Sequence, residues 1–294
     1  MVARVQRAIC FGLLAGAAMS LWLIWDLLPV AAFGVALALL NAYPILIASE
    51  LALLHLGPKD PAFPRPSATQ LVQAWAGEVR HGVPVFFWRQ PFRSHAIPDH
   101  VPRQARRGVV FVHGLFCNRG FWAPWMREAR RLDLPCLAVE LKPMTGSIEN
   151  YIPIVDAAVT RMQNATGIAP VLICHSMGGL AARAWLASSS DATQRVARVI
   201  TIGTPHAGTW LARFGHGANT REMRPDNCWL LALRSKERVD DRTLFTCWLS
   251  NADNMVCPPS NASLPNADNR RVPGVAHVAL AFHRDVMRES LALV

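Results

Sequence analysis

The sequence predicts an α/β fold in which helices cover both faces of a mostly parallel central sheet, preceded by two transmembrane helices. Three observations lead to this prediction. From Gly108 onward, short apolar runs alternate with helical stretches; one run leads directly into a serine between small residues; and the amino-terminal segment contains long uncharged stretches. Because 52% of the 294 residues are apolar, the chain can bury a substantial core and is not intrinsically disordered.

Two uncharged apolar stretches, residues 8–25 and 30–48, occupy most of residues 1–56. As a helix, the first would reach about 27 Å, close to the thickness of a bilayer's hydrocarbon core. We interpret residues 1–56 as a transmembrane helical hairpin because only a short turn separates the stretches. A cleaved signal peptide, or a buried helix beside a single span, is the alternative, although the apolar block is longer than a signal sequence needs.

Basic residues flank both ends of this hairpin: Arg4, Arg7, Lys59, Arg65 and Arg80. Cytoplasmic flanks are enriched in Lys and Arg, so both ends are expected in the cytoplasm. A single span would instead place residues 57–294 on the outer side of the membrane.

The charge balance points to a membrane rather than to nucleic acid. The formal net charge is +10, and the excess lies entirely in residues 57–294. No nucleic-acid-binding motif accompanies these charges, so anionic membrane phosphates are the expected partner. The seven cysteines are odd in number and lack CxxC pairs, which favours reduced thiols and no structural metal.

Residues 57–107 are rich in proline and arginine and are predicted to form a tether. Proline disrupts helix interiors, so long helices are not expected over much of this segment. Its one predicted strand is residues 83–89, which contain a β-branched and aromatic run.

Residues 108–294 are predicted to form the α/β domain. The strand candidates are residues 109–112, 136–141, 171–174, 199–203, 244–250 and 271–275. Residues 152–163 and 180–187 have helical spacing, and Gly167 is positioned to end the first of these helices. The alternation of strands and helices predicts a parallel sheet.

Ser176 is the predicted nucleophile. It follows a buried strand, precedes a helix, and has Cys174 and Gly178 as small neighbours, as a strained strand-to-helix turn requires. A serine hydroxyl needs a histidine base and a carboxylate that orients this base.

In folds that carry a nucleophilic serine in such a turn, the acid and then the histidine come after the serine in the sequence. His277, after the last predicted strand, is the expected base, with His216 and His283 as the other downstream candidates. Asp253, directly after the strand at 244–250, is the expected acid. The rival acids are Asp268, which reads better as a turn residue, and Asp226, Asp240 and Asp241.

The developing oxyanion needs two backbone N–H donors. Met177 is expected to supply one, because it directly follows the serine. Leu115, in the turn after the first strand, is expected to supply the other, with Phe116 as the alternative. Phe116 and His175 are also expected to contact the substrate.

Four segments together resemble the lipase and esterase branch of the bacterial α/β-hydrolases: residues 113–115, 174–179 and 203–209, and the pair Asp253 and His277. The resemblance covers residues 108–294 and implies an α/β-hydrolase fold, ester hydrolysis through an acyl-enzyme, and no cofactor or metal. It also implies a structural role for His206. With the predicted hairpin and its basic flanks, we expect the protein at the bacterial inner membrane, with the catalytic domain on the cytoplasmic side. Acyl transfer, thioester or amide cleavage, and a non-catalytic membrane-bound binding module remain as alternatives.

Apolar and basic residues interleave between residues 209 and 240. In a lipase-like chain this segment is a candidate lid over the acyl pocket, and its arginines suit an anionic lipid surface. The alternative is an ordinary helical insertion whose apolar side completes the core.

Overall fold

A computed structural model describes residues 1–56, 60–238 and 240–294. The helices are α1 (Val2–Ile24), α2 (Pro29–Leu40), α3 (Ala42–Leu56), α4 (Ala68–Pro84), α5 (Gln90–Phe92), α6 (Ala123–Arg131), α7 (Ile152–Thr166), α8 (Met177–Leu186), α9 (Ala218–Glu222), α10 (Cys228–Lys236), α11 (His277–Ala281) and α12 (Arg284–Ala292). The strands are β1 (Val109–Val112), β2 (Cys136–Ala138), β3 (Val171–His175), β4 (Arg198–Ile202), β5 (Phe245–Leu249) and β6 (Asp268–Arg271). Lys59, the predicted domain boundary at residue 57, Val239 in the candidate lid, and the side chain of Asp240 lie outside the described residues.

The six strands form one parallel sheet in the order β2-β1-β3-β4-β5-β6, which confirms the predicted fold class. Successive residues of each inner strand point to opposite faces, so Val110 and Leu172 pack on one side and Phe111 and Ile173 on the other. Helices α7 and α8 cover the first face, and α6 and α12 cover the second. Gly167 ends α7 with a φ of +69°, as predicted.

The last strand, predicted at residues 271–275, lies at Asp268–Arg271 instead. It is an edge strand and is largely exposed, so its sequence is polar and gives no apolar signal. Val272 donates to the carbonyl of Leu249 at 2.9 Å, after which Pro273 has no N–H for the ladder. The chain therefore leaves the sheet where the strand was expected to begin.

The predicted strand at residues 83–89 is wrong, because this part of the chain is helical. Helix α4 begins with a capping box in which Ser67 and Gln70 each bond the other's backbone N–H. Pro84 supplies no N–H, and the chain continues through a wider π-helical turn, Val85–Arg89, into α5. A short apolar run has the same pattern in a buried helix as in a strand, which explains the error.

Among the described residues, α1 is the single helix that is long and apolar enough to cross a membrane by itself. The second predicted span is interrupted: α2 and α3 meet at Asn41 with a bend of 70°, and they would count as one broken span. The Asn41 side chain donates to the carbonyl of Leu37 at 2.9 Å at this break. Beyond it, Trp75 of α4 donates to the carbonyl of Pro44 at 2.9 Å, which ties α3 to the rest of the chain.

Candidate active site

Ser176 stands between β3 and α8 in a conformation that is uncommon for a residue with a side chain, with φ of 54° and ψ of −130°. Its N–H donates to the carbonyl of Ile202 at 2.9 Å, and its carbonyl accepts from the Thr204 hydroxyl at 2.8 Å. These bonds to β4 and the loop after it hold the turn in place. The predicted strand-to-helix elbow at Ser176 is therefore present, and its strain is the kind found at functional sites.

Small residues are needed around this turn because backbone segments approach closely. A Cβ at Gly178 would collide with the carbonyl oxygen of Val112, so only glycine lets α8 cross β1 here. A Cβ at Gly114 would lie 2.8 Å from the Ser176 Cβ, which places the loop after β1 directly against the serine. The Cys174 side chain is fully buried in β3, so cysteine fits where the family pattern has glycine.

The loop after β1 is fixed by hydrogen bonds. His113 is buried; its Nε2 accepts from the Leu141 N–H at 3.1 Å, and its Nδ1 donates to the carbonyl of Gly114 at 2.9 Å. Burial lowers the pKa of His113, so the ring is neutral and keeps this donor and acceptor pattern. Leu115 and Phe116 then reach the cavity that Ser176 also lines.

Asp253 and His277 are in direct contact. Both carboxylate oxygens of Asp253 lie 2.9 Å from Nδ1 of His277, and one of them also accepts from the N–H groups of Met255 and Val256 at 2.8 and 2.9 Å. The Asp253 side chain is only 1% exposed. Gly203 packs against this pair, because a Cβ there would lie about 3 Å from both side chains.

The surroundings of His277 favour its charged form. Burial alone lowers the pKa of His277, but the charge and hydrogen bond of Asp253, with the charges of Glu78 and Glu50, outweigh it and raise the pKa above 6.5. The neighbouring His175 behaves in the opposite way. Burial, followed by the charge of His277, lowers the pKa of His175 well below 6.5.

His175, expected to contact the substrate, is 2% exposed, and its ring stacks on Phe121 at 4.5 Å between centroids. Its Nε2 donates to the carbonyl of His277 at 3.2 Å. A small part of it reaches the cavity wall, and its contact with the substrate remains a prediction.

The rival candidates lie elsewhere. His216 and Asp226 are exposed, and His283 bonds the N–H of Asp285 at the start of α12. Asp268 begins β6, at the opposite end of the parallel sheet from Ser176. Asp241 lies in the short helix before β5 and does not line the cavity.

Two buried histidines outside the cavity have structural partners instead. His113 supports the loop after β1, as described above. Nε2 of His206 lies 3.0 Å from the Thr201 hydroxyl, and the His206 carbonyl accepts from Arg183 at 2.8 Å. These contacts agree with the structural role expected for His206.

A family comparison is decisive for the fold. A model described as the alpha/beta hydrolase family matches residues 109–288. The chain belongs to this family. A comparison with curated proteins gives no significant match.

Two solved lipases are similar to this hydrolase in fold. The mature lipase of Bacillus licheniformis is 20% identical with a TM-score of 0.56, and the match covers 66% of this chain and 95% of that one. Lipase B of Aspergillus fumigatus is 15% identical with a TM-score of 0.57, and the match covers 63% of this chain and 52% of that one. At such identities the likeness concerns the fold.

Two carboxylates that hold the backbone around His277, those of Glu78 and Glu50, were not predicted from the sequence of this hydrolase. Glu78 of α4 is 1% exposed and accepts from the N–H groups of Val278 and Ala279 at 3.1 and 2.8 Å. Burial raises the pKa of Glu78 to about 7. The sequence did not indicate this role, because Glu78 is 200 positions away from Val278 and lies in the segment predicted to be a tether.

Glu50 of α3 acts through Asn254. It accepts from the Asn254 side chain at 2.6 Å, and Asn254 in turn accepts from the backbone N–H of His277 at 3.0 Å. The sequence did contain a signal for Glu50, which is an isolated acid at the end of an uncharged apolar stretch. An acid in such a position is often functional.

Ser176 and His277 line one cavity of about 500 Å3, within the usual range of ligand pockets. Its apolar lining from the hydrolase domain includes Leu115, Phe116, Met223, Met255, Val256 and Val278. The remaining walls come from α1, α3, α4 and the π-helical turn. Within residues 1–56, 60–238 and 240–294, no group of three or more His, Cys, Asp or Glu side chains is arranged to hold a metal ion.

Proposed function

We propose that this hydrolase is a membrane-anchored serine esterase that cleaves carboxylic esters of fatty-acyl chains. The observation that carries the proposal is the buried Asp253 and His277 pair on the same apolar cavity as the strained Ser176. A neutral imidazole oriented by a buried carboxylate is the general base that a serine hydroxyl needs.

In the proposed reaction, the Ser176 oxygen attacks the ester carbonyl while His277 accepts its proton. Asp253 holds the ring in the required tautomer and stabilises the imidazolium that forms. The N–H groups of Met177 and Leu115 stabilise the tetrahedral oxyanion. His277 then protonates the leaving alcohol, and a water molecule, activated in the same way, releases the fatty acid and regenerates Ser176.

Membrane anchoring is supported by the exposure of α1. Only 17% of the most apolar 18-residue stretch of α1 is buried, whereas the core helix of a soluble protein would be mostly buried. Large apolar side chains such as Trp22 (78% exposed) and Val30 (86% exposed) project outward from α1 and α2. The basic flanks support our proposal that the hydrolase domain lies on the cytoplasmic side of the inner membrane.

The first test is Ser176→Ala in the full chain, measured with a chromogenic fatty-acyl ester. Turnover should fall by about 10,000-fold or more while the thermal denaturation midpoint stays unchanged. Ser235→Ala, at an exposed serine of α10, is the matched control and should retain full activity. Activity that survives Ser176→Ala would eliminate the proposed nucleophile.

Two further measurements separate the alternatives. A fluorophosphonate should label the wild-type protein and not Ser176→Ala; absence of labelling would favour a non-catalytic binding module. Mass spectrometry of the products with an added alcohol distinguishes free fatty acid, expected for a hydrolase, from a new ester, expected for an acyltransferase.

A further inference from the structure

The helices expected to serve only as an anchor contribute directly to the cavity at Ser176. Ile9 and Leu13 of α1 and Leu46 and Ile47 of α3 line it. By contrast, Thr209 and Met223 are the contributions of the candidate lid among its described residues. Much of the apolar wall therefore comes from the amino-terminal helices.

We propose that α1 and α3 form the wall of an acyl-chain site, which binds the fatty-acyl chain of a long-chain ester resident in the same membrane. This inference rests on the function proposed above and specifies its substrate class. The amino-terminal helices then take part in substrate binding as well as anchoring.

Helix α1 is attached to the loop beside the serine. Gln6 is 2% exposed, and its side-chain amide donates to the carbonyl of Phe116 at 3.2 Å. Phe116 itself has a φ of +56°, so this bond holds a strained residue of the predicted oxyanion loop. The Phe11 ring packs edge-on against Phe92 of α5, with 6.1 Å between centroids.

Helix α3 is attached to the loops that carry the acid and the base. Ile47 and Leu51 are each 3% exposed and pack in one cluster with Ala252 and Ala276, the neighbours of Asp253 and His277 in sequence. The Tyr43 ring lies 5.8 Å from Phe86 and 5.9 Å from Phe87, which line the same cavity. Through these contacts, α3 forms part of the wall of the cavity at Ser176.

The same helices also carry apolar side chains that are exposed. Leu14 of α1 and Leu53 of α3 are 57% and 52% exposed. Side chains of this kind suit a lipid environment, and they lie on the same two helices as the side chains that line the cavity. An acyl chain can therefore pass from the bilayer to Ser176 without exposing its methylenes to water, which would cost about 0.8 kcal/mol for each methylene.

The test uses the full chain in lipid nanodiscs and a series of esters from C4 to C16. Leu13→Trp should fill part of the acyl-chain site, and Leu14→Trp, on the exposed face of α1, is the matched control. We expect Leu13→Trp to lower kcat/KM for the C16 ester by about tenfold or more and for the C4 ester by less than about twofold. Leu14→Trp should leave both values unchanged.

A second experiment locates the bound chain directly. A C16 fluorophosphonate with a photoreactive diazirine near its methyl end reacts with Ser176 and is then activated by light. We expect the cross-linked peptides to fall within residues 2–24 or 42–56. Cross-links confined to residues 209–238 would overturn the proposal in favour of the candidate lid.

These outcomes separate the inference from the proposed function. If the wild type hydrolyses esters in a Ser176-dependent way but Leu13→Trp lowers C4 and C16 activity equally, or changes neither, the acyl-chain site is wrong and the esterase stands. If the wild type hydrolyses no ester and does not react with the C16 probe, the proposed function fails first.

Discussion

Single residues set the chemistry of this hydrolase. Ser176 keeps an unfavourable φ of 54° because its backbone is bonded to β4 and to the loop that follows. Such strain costs on the order of 1–3 kcal/mol, which the surrounding hydrogen bonds offset. Asp253 is equally constrained, since two backbone N–H groups and Nδ1 of His277 all reach its carboxylate.

Asp253→Asn should lower kcat by about 10,000-fold with a small change in KM, because the amide no longer selects the reactive tautomer of His277. The measurement is steady-state kinetics on a fatty-acyl ester. Asp268→Asn is the control: this aspartate is exposed at the start of β6 and should tolerate the change. A comparable loss with Asp268→Asn would show that the acid is misassigned.

The pH profile of kcat/KM should fall on the acid side with a midpoint above 6.5. In the proposed mechanism, His277 acts as a base only when neutral. Burial lowers the pKa of His277, but Asp253, Glu78 and Glu50 outweigh burial and raise it. Activity is therefore present above this pKa and lost as the pH drops through it. A midpoint at or below 6.5 would contradict the proposed electrostatic balance.

At the scale of elements, the position of His277 depends on a helix from another part of the chain. Helix α11 begins at His277, and Glu78 of α4 bonds the N–H groups of its first turn. Asn254 bonds the N–H of His277 itself and connects it to Glu50 of α3. Two amino-terminal helices thus hold the backbone of His277, the proposed base, in position.

Glu78→Ala should lower the thermal midpoint by several degrees and reduce kcat more than it raises KM. Two buried N–H groups would lose their acceptor, at a cost of about 1–3 kcal/mol each, and α11 would no longer be anchored. Glu78→Gln keeps one of the two acceptor oxygens and turns an NH2 donor towards the other N–H, so it should restore only part of both properties. Differential scanning fluorimetry and kinetics give the two readouts; an alanine variant with wild-type values would rule out this role.

At the scale of the whole molecule, we propose that the hydrolase domain lies on the cytoplasmic side of a membrane, and its cysteines provide a test. All seven cysteines are unpaired, and Cys228 of α10 is exposed while the other six are buried. Burial raises the pKa of several of them, Cys117 to about 12, so their thiols are also unreactive. Cys228 is therefore a natural reporter of which side the domain occupies.

A membrane-impermeant maleimide should leave the protein unlabelled in intact cells and label it once the inner membrane is permeabilised. Cys228→Ser should abolish this labelling. Labelling in intact cells would place residues 57–294 on the outer side, as expected for a single span or a cleaved signal peptide.

The sequence alone predicted the parallel sheet and the family resemblance, along with Ser176, Asp253 and His277 as candidates. These depend on local patterns: an apolar strand that ends in a strained turn, and residues that follow successive parallel strands at one end of a sheet.

Tertiary structure decided the remainder. Glu78 and the residue it bonds, Val278, are 200 positions apart, and no periodicity relates two such segments. The π-helical turn at Val85–Arg89 and the polar edge strand β6 were likewise set by packing rather than by local preference. Residues 1–56 were predicted to be a simple hairpin because hydropathy shows only that a helix is apolar. It does not show that some of the apolar side chains of α1 and α3 line a cavity.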